Sequence, residues 1–384
     1  MALELEEHLE DAPEGAGPLA QAEEAEVYTA SQWRLMWWKF RKHKLAVAGG
    51  LVVLSLYIVA LFCEVIAPYT LESRDATYTY APPQRLHAFG PDGFRLRPFV
   101  YGLKSKRHPE TLRKVYVEDR TRRYPVRLFV RGEPYRLWGL FETDVHLFGV
   151  DEGGTLFLLG ADALGRDMLS RILYGARISL TIGLIGVGLS FVLGLTIGGL
   201  SGYLGGWVDN VIQRLIEILR SFPSIPLWMA LSAALPAHWS PLQVYLGITV
   251  VLSFIGWTGL ARQVRGKILS LREEDFAMAA LLCGASRWRI LWRHLLPSFF
   301  SHIIVSLTLA VPGMILGETA LSFLGLGLRP PITSWGVLLK DAQNVQSVAL
   351  HPWLLTPVVA VIITVLSFNF VGDGLRDAAD PYAR

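Results

Sequence analysis

The sequence is short of the residues that soluble enzymes and secreted domains depend on. Only two of its 384 residues are cysteine, Cys63 and Cys283, too few for a disulfide framework, and the topology derived below sets them on opposite membrane sides, so no disulfide is expected. Charged residues make up 18% of the chain, below the about 25% of soluble domains. The net charge of +3 is too small to argue for a nucleic-acid partner. HExxH, paired CxxC and GxSxG are missing, so catalysis by this chain is unsupported. The nearest approach to a phosphate-cradling GxxxxGK[ST] is ARQVRGKI, Ala261 to Ile268, which puts alanine at the first glycine and isoleucine at the hydroxyl position,. It also follows a membrane helix rather than a strand. The first 32 residues hold nine acidic residues and no Lys or Arg, the reverse of a signal peptide's start, and residues 1–30 are expected to be a disordered acidic cytosolic tail.

What is abundant is apolar sequence. Hydrophobic residues form 52% of the chain and come in blocks of about 20, the length that crosses a bilayer as a helix. Six spans are predicted, over 45–67, 178–200, 208–235, 241–261, 301–324 and 353–372. The stretch WRLMWWKFRKHKLA, Trp33 to Ala46, mixes five basic residues with Trp33, Trp37, Trp38 and Phe40, and reads as an interfacial elbow helix in contact with lipid. Residues 34–44 hold five Lys/Arg and residues 262–300 hold seven, whereas the short loop PAHWSP, Pro236 to Pro241, holds none. Both rich segments are therefore expected in the cytoplasm, which puts both termini inside and the long segment after span one outside. Within that segment KVYVEDRTRRYPVRLFVRGEPYRLW, Lys114 to Trp138, alternates β-branched or aromatic with charged residues. It predicts a small β-rich domain with turns at Glu118 to Arg120 and Arg131 to Pro134.

The segment DFAMAALLCGASRWRILWRHLLPS, Asp275 to Ser298, sits between two predicted spans yet carries three arginines, a histidine, a glycine and a proline. Asp275 to Cys283 reads as one helix, Gly284 as a left-handed stop and Ser286 as the cap of a second helix running to Pro297. In the second helix Trp288 and Trp292 share one face and Arg289 and Arg293 another, each pair at i,i+4. A purely interfacial loop explains the arginines and tryptophans but not the small Ala279, Ala280 and Gly284, which suit insertion into a partner's groove.

On those residues the segment resembles the coupling loop of ATP-binding-cassette (ABC) importer permeases: two alanines, Ala279 and Ala280, then Gly284, then Leu296 and Pro297. Three more stretches resemble the dipeptide/oligopeptide/nickel branch of that family, LGADALGRDMLSRILYGARISL (Leu159 to Leu180), ETALSFLGLGLRPPITSWG (Glu318 to Gly336) and FNFVGDGLRDAADP (Phe368 to Pro381). Met278 stands where the family's loop often carries glutamate, and Ala161 where it often has threonine. The resemblance implies an all-α polytopic fold of six transmembrane helices of the ABC importer permease type, with a β-rich extracytoplasmic insert between spans one and two. Its expected organisation is an elbow and first span at 31–67, an insert at 68–157 and a five-span core at 158–384 with a coupling loop at 262–300. Asp275, Met278, Ala279, Ala280, Gly284, Ala285, Arg287, Arg293, Leu296 and Pro297 would meet the ATPase.

The resemblance further implies a plasma-membrane permease that imports di- or oligopeptides, with nickel or oligosaccharides as alternative cargoes. Its partners would be a second permease, making a heterodimer, two ATP-binding subunits that hold the ATP and Mg, and a solute-binding protein; this chain would hold no cofactor. A secondary transporter is the competing class, but no internal repeat supports it, and an anchor displaying the insert as a receptor would leave the loop without a purpose. Among charges in or near the spans, Glu318, Arg214 and Glu217 are candidates for the pathway or its gate. Arg214, Glu217 and Arg220 alternatively form an ion-pair ladder, Glu318 could pair with Arg214, and Glu64 reads as a boundary residue. Gly186, Ser190, Gly194, Gly198 and Gly202 form a small-residue stripe suited to close helix packing.

Overall fold

A computed structural model describes residues 32–379, apart from 91, 92, 111, 112 and 152. The predicted acidic tail and the last two residues of the FNFVGDGLRDAADP motif lie outside the described residues. The elbow is α1 (Gln32–Lys42). His43 then caps α2 (Lys44–Leu61), its Nδ1 accepting from the Ala46 amide at 3.1 Å. Phe62 interrupts that helix, and the short α3 (Cys63–Ile66) follows.

The insert is β-structured. Strands β1 (His87–Gly90), β2 (Gly93–Arg107) and β3 (Lys114–Pro125) form one antiparallel sheet, and β4 (Arg127–Leu137) and β5 (Phe141–Gly149) form a hairpin. Neither predicted turn is a turn. β3 runs straight through Glu118 to Arg120, with the extra residues taken up where the register slips between Tyr101↔Arg123 and Gly102↔Asp119. The residues Gly132 to Pro134 make a second irregularity between Arg131↔Val145 and Tyr135↔Thr143. Turn-type residues there serve as bulges, which bend a strand without ending it. The hairpin reverses instead at Trp138 and Gly139, at φ 51° and 74°. The Trp138 indole donates to the Leu61 carbonyl at 2.7 Å, closing the end of α2. His146, buried, reaches the carbonyls of Ala67 and Glu133 at 2.6 and 3.0 Å, so the hairpin is fastened to the root of the first span.

The helical body follows as α4 (Met168–Leu204), α5 (Gly206–Ser221), α6 (Ser224–Ala233), α7 (Pro241–Leu271), α8 (Asp275–Leu282), α9 (287–298), α10 (Phe300–Phe323), α11 (Trp335–Lys340), α12 (Val345–Leu350) and α13 (Thr356–Ala379). Among the described residues five helices are long and apolar enough to cross a membrane, within Lys44–Leu61, Met168–Leu204, Pro241–Leu271, Phe300–Phe323 and Pro352–Ala379. The predicted third span, 208–235, is two helices. Pro223 has no amide hydrogen and forces Phe222 into an extended conformation (φ −85°, ψ 137°),. The half before the break is amphipathic, with Asp209, Gln213, Arg214, Glu217 and Arg220 among its apolar residues. α4 also begins ten residues before its predicted start, capped by Asp167, whose Oδ2 accepts from the Ser170 amide and hydroxyl at 2.7 Å.

α4 packs along α7, and α13 lies against α2 and α10. The stripe on α4 makes the first contact possible. A methyl group on Gly198 would stand 2.4 Å from the Ala261 carbonyl oxygen, one on Gly194 2.8 Å from Leu260 and one on Gly202 2.9 Å from the Arg265 carbonyl. Gly186 and Ser190 continue the same buried line. Close backbone approach of this kind supplies the van der Waals contact that holds helices together in lipid, where no hydrophobic force separates helix from solvent. The segment ARQVRGKI lies inside α7 as continuous helix.

Candidate functional site: an elbow below the bundle and a buried carboxylate

α8 ends in a Schellman closure. Gly284 takes φ +78°, its amide donates to the Leu281 carbonyl at 3.0 Å, and the Ala285 amide donates to Ala280 at 3.1 Å,. The Ser286 hydroxyl then accepts from the Arg289 amide at 3.3 Å and opens α9. Ala277, 3% exposed, and the half-buried Ala280 and Ala285 turn inward onto a cluster that includes Ile268, Ile290, Leu291 and Leu295. Leu296 is buried in that cluster as well. The small residues of this segment are therefore split: Ala279 and Gly284 are on the surface, while Ala280 and Ala285 seat the elbow. Asp275, Met278, Arg287, Arg293 and Pro297 are exposed.

α9 is not a uniform α-helix, since Ile290–Leu295 is π-helical. Pro297 cannot donate to the carbonyl one turn upstream, and the wider turn falls immediately before it. Trp288, Trp292, Arg289 and Arg293 all remain exposed. The outward surface of the elbow is thus apolar, with Phe276, Met278, Leu281 and Leu282 uncovered and Leu282 84% exposed, beside Arg287, Arg289 and Arg293. Exposed apolar side chains ringed by charge are the composition of a protein-docking face.

A polar latch above the elbow joins the ends of three helices and includes two residues that sequence reasoning passed over. Arg265 of α7 donates to both carboxylate oxygens of Asp209 in α5 at 2.5 Å. Ser201 of α4 also donates to Asp209, and Gln213 donates to Ser201 at 3.0 Å. Arg272, at the end of α7, reaches the Gly202 carbonyl at 3.3 Å. The signal was available, an acid near the start of α5 and a base near the end of α7, both helices being largely apolar, a position where pairing is the cheapest solution,.

Glu318 of α10 is 0% exposed. Its Oε1 accepts from the hydroxyls of Ser322 and Ser334 at 2.7 and 2.6 Å, and its Oε2 from Ser179 at 3.4 Å. The same hydroxyls accept in turn from the amides of Leu328, Val337 and Trp335 at 3.0, 3.2 and 3.2 Å. The carboxylate is therefore a hub tying α4, α10 and α11 to the loop between the last two. Arg214 does not reach it. That arginine pairs with Glu217 at 2.7 Å on an open face, the two side chains 80% and 59% exposed, so the expected Glu318 pair is replaced by hydroxyl donors, and the ladder is a single pair that leaves out Arg220.

Glu64, just past the end of the first span, is more than a boundary residue. It is 6% exposed and accepts a two-pronged bond from Arg177 of α4, which also donates to the carbonyls of Ala60 and Leu61 at 2.9 and 3.0 Å. Farther along the outer motifs, Asp162 holds Arg166 at 2.7 Å and the buried Arg171, while the Trp353 indole donates to the Ala161 carbonyl at 2.9 Å. Among the described residues no group of His, Cys, Asp and Glu is arranged to hold a metal.

Five helices of membrane-crossing length among the described residues, packed around a carboxylate held by three hydroxyls, define a multi-pass membrane protein. Residues 194–384 match the family described as binding-protein-dependent transport system inner membrane component. Residues 31–83 match the N-terminal TM domain of oligopeptide transport permease C. The oligopeptide transport system permease protein OppC of Haemophilus influenzae is 43% identical over 59% of this chain and 70% of its own. The glutathione transport system permease protein GsiD of Pectobacterium atrosepticum is 33% identical over 91% of each chain, and the dipeptide transport system permease protein DppC of Bacillus subtilis 30% identical over 93% of this chain and 87% of its own. A solved chain of the MetNI methionine ABC transporter, 19% identical, overlays on 55% of this chain and 97% of its own with a TM-score of 0.44. The chain belongs to the family of binding-protein-dependent transport system inner membrane components, the permeases of ABC importers.

Proposed function

We infer that this permease serves an ATP-driven importer of di- or oligopeptides. It forms the pathway with a second, non-identical permease, and two ATP-binding subunits, which carry the ATP and Mg, dock on the elbow 275–298. A solute-binding protein delivers peptide on the face that carries the β-rich insert, 68–157. In this reading both termini and residues 262–300 are cytoplasmic, and the broken pair α5–α6 makes the sixth crossing, since together the two helices and their joint have the length of a span. The observation that carries the cargo is the naming of its relatives: the glutathione and dipeptide permeases match across nearly the full chain, and the oligopeptide permease over 59% of it. The observation that supports the docking site is the outward apolar face of α8 beside three arginines.

The test is ATP-driven uptake in vesicles holding this chain, its partner permease, the ATP-binding subunits and the binding protein. Accumulation of a labelled tripeptide, competed by other peptides and not by nickel or an oligosaccharide, is the expected outcome. Uptake of nickel or oligosaccharide in place of peptide would overturn the cargo.

A further inference from the structure

Where α6, α7 and α10 meet α4 there is a cavity of about 300 Å³. Its wall includes Ser190, Trp228, Gly256, Gly259, Gln263 and Ser306, and no charged residue is among those lining it. Two hydrogen-bonding groups of this wall already have partners: the Ser306 hydroxyl donates to Gln263 at 2.8 Å, and the Ser190 hydroxyl to the Ser253 carbonyl at 3.4 Å. A third does not. The indole nitrogen of Trp228 is buried with no acceptor among the described residues, and an unpaired buried donor is a cost that a ligand can remove.

A second donor reaches the same wall from the helix break, and the break itself supplies others close by in the chain. Arg220 is the last-turn cation of α5, and its Nη1 lies 3.6 Å from where a methyl group on Gly259 would stand, so the guanidinium borders the cavity wall. No carboxylate among the described residues pairs with it, since Glu217 is taken by Arg214. Arg220 is exposed in this chain, and a charge without a partner among the described residues, within the α5–α6 crossing proposed above, is by default a functional candidate. The break itself leaves α6 starting at Ser224 with no side chain capping its first turn. The amides of Ser224 and Ile225 therefore point free, a broken-helix N-terminus of the kind that faces anionic groups of cargo at the membrane midplane. Arg220, these amides and Trp228 lie within one stretch of nine residues, and all of them can only donate.

We propose that Arg220, the first turn of α6 and the Trp228 indole form a receiving site for the C-terminal carboxylate of a peptide in passage. This rests on the peptide reading above and adds to it a chemical class: free acids are favoured by the pathway itself, whereas the uncharged remainder of the cavity is indifferent to side-chain charge. Several partial donors suit a transit site better than one tight ion pair, because cargo must leave as readily as it enters.

The experiment is vesicle uptake of a neutral-side-chain tripeptide as the free acid and as its C-terminal amide, by the full importer with wild-type chain, Arg220→Gln or Arg220→Lys. Each variant is compared with wild type for the same peptide, so that any preference of the binding protein cancels. The ratio of free-acid to amide uptake is expected to fall about tenfold or more in Arg220→Gln, the scale of one charge-assisted hydrogen bond, and to recover in part in Arg220→Lys. An equal fall for both peptides, or no fall for either, would overturn the carboxylate site while leaving a peptide importer in place. Wild-type importer taking up neither peptide would instead overturn the peptide reading and this inference with it.

Discussion

Replacing Glu64 by glutamine removes one half of a buried ion pair and leaves Arg177 facing an amide. Removing one partner of such a pair costs about 3 to 5 kcal/mol when the remaining charge stays dry. The Arg177 side chain is 29% exposed and that of Glu64 8%, so water can reach the stranded guanidinium, and the lower figure, about 3 kcal/mol, applies to Glu64→Gln. Arg177→Gln costs more, because the bonds to the Ala60 and Leu61 carbonyls go as well, each contributing about 1 kcal/mol. The double variant leaves no stranded charge. Its loss should therefore be about 2 kcal/mol smaller than the sum of the single losses, within the coupling range of contacting residues. The assay is thermal unfolding of the purified importer in detergent, with protease cutting of the insert as a second readout, since the pair fastens the root of the first span to α4. Additive single effects, or a Glu64→Gln protein as stable as wild type, would refute the assignment.

Gly198→Ala should destabilise by about 1 to 3 kcal/mol through backbone overlap with Ala261,, less up to about 1 kcal/mol of helix propensity. Gly188→Ala in the same helix meets nothing within 4 Å and should be neutral or better; equal losses on thermal unfolding would contradict the packing. Glu318→Gln and Arg214→Gln should add to within about 0.5 kcal/mol, since the two residues have separate partners, and clear coupling in a double-mutant cycle would restore the discarded pair. In the insert, the Lys104 ammonium at 2.7 Å and Thr121 hold Asp119 down to about 2. A depressed carboxyl stabilises above its unfolded value of about 3.9, so that contribution is complete above about pH 5 and is lost as pH falls through about 2,. Amide exchange in β3, corrected for its intrinsic pH dependence, should accelerate over that window in wild type and less in Asp119→Asn.

What the sequence discloses follows from how local each determinant is. Apolar blocks of span length are legible at sight, and so is the stop at Gly284 followed by the cap at Ser286, because glycine conformation and capping act within a turn. The break within the third predicted span is not legible, because a composition window cannot see that Pro223 divides an apolar run into two helices. The alternation of Lys114 to Trp138 pointed to strands, but Gly132 to Pro134 look alike in sequence whether they reverse a chain or bulge it. Long-range partners are the hardest. Glu64 finds Arg177 across 113 residues and Glu318 finds Ser179 across 139, and nothing in either neighbourhood names the other. For Ala280, the small-residue pattern does not disclose that the side chain is half-buried against the cluster containing Leu291 and Leu295.

That division also selects the substitution that addresses the elbow directly. Ala280→Trp would disturb the seat, whereas Leu282, 84% exposed, can be changed without touching the core. The decisive measurement is copurification of the ATP-binding subunits with Leu282→Glu, at equal membrane insertion of the chain, together with peptide-stimulated ATP hydrolysis in vesicles. The account predicts that Leu282→Glu inserts normally but retains far less of the ATP-binding subunits and loses the stimulation. Full retention of the subunits with undiminished stimulation would contradict it.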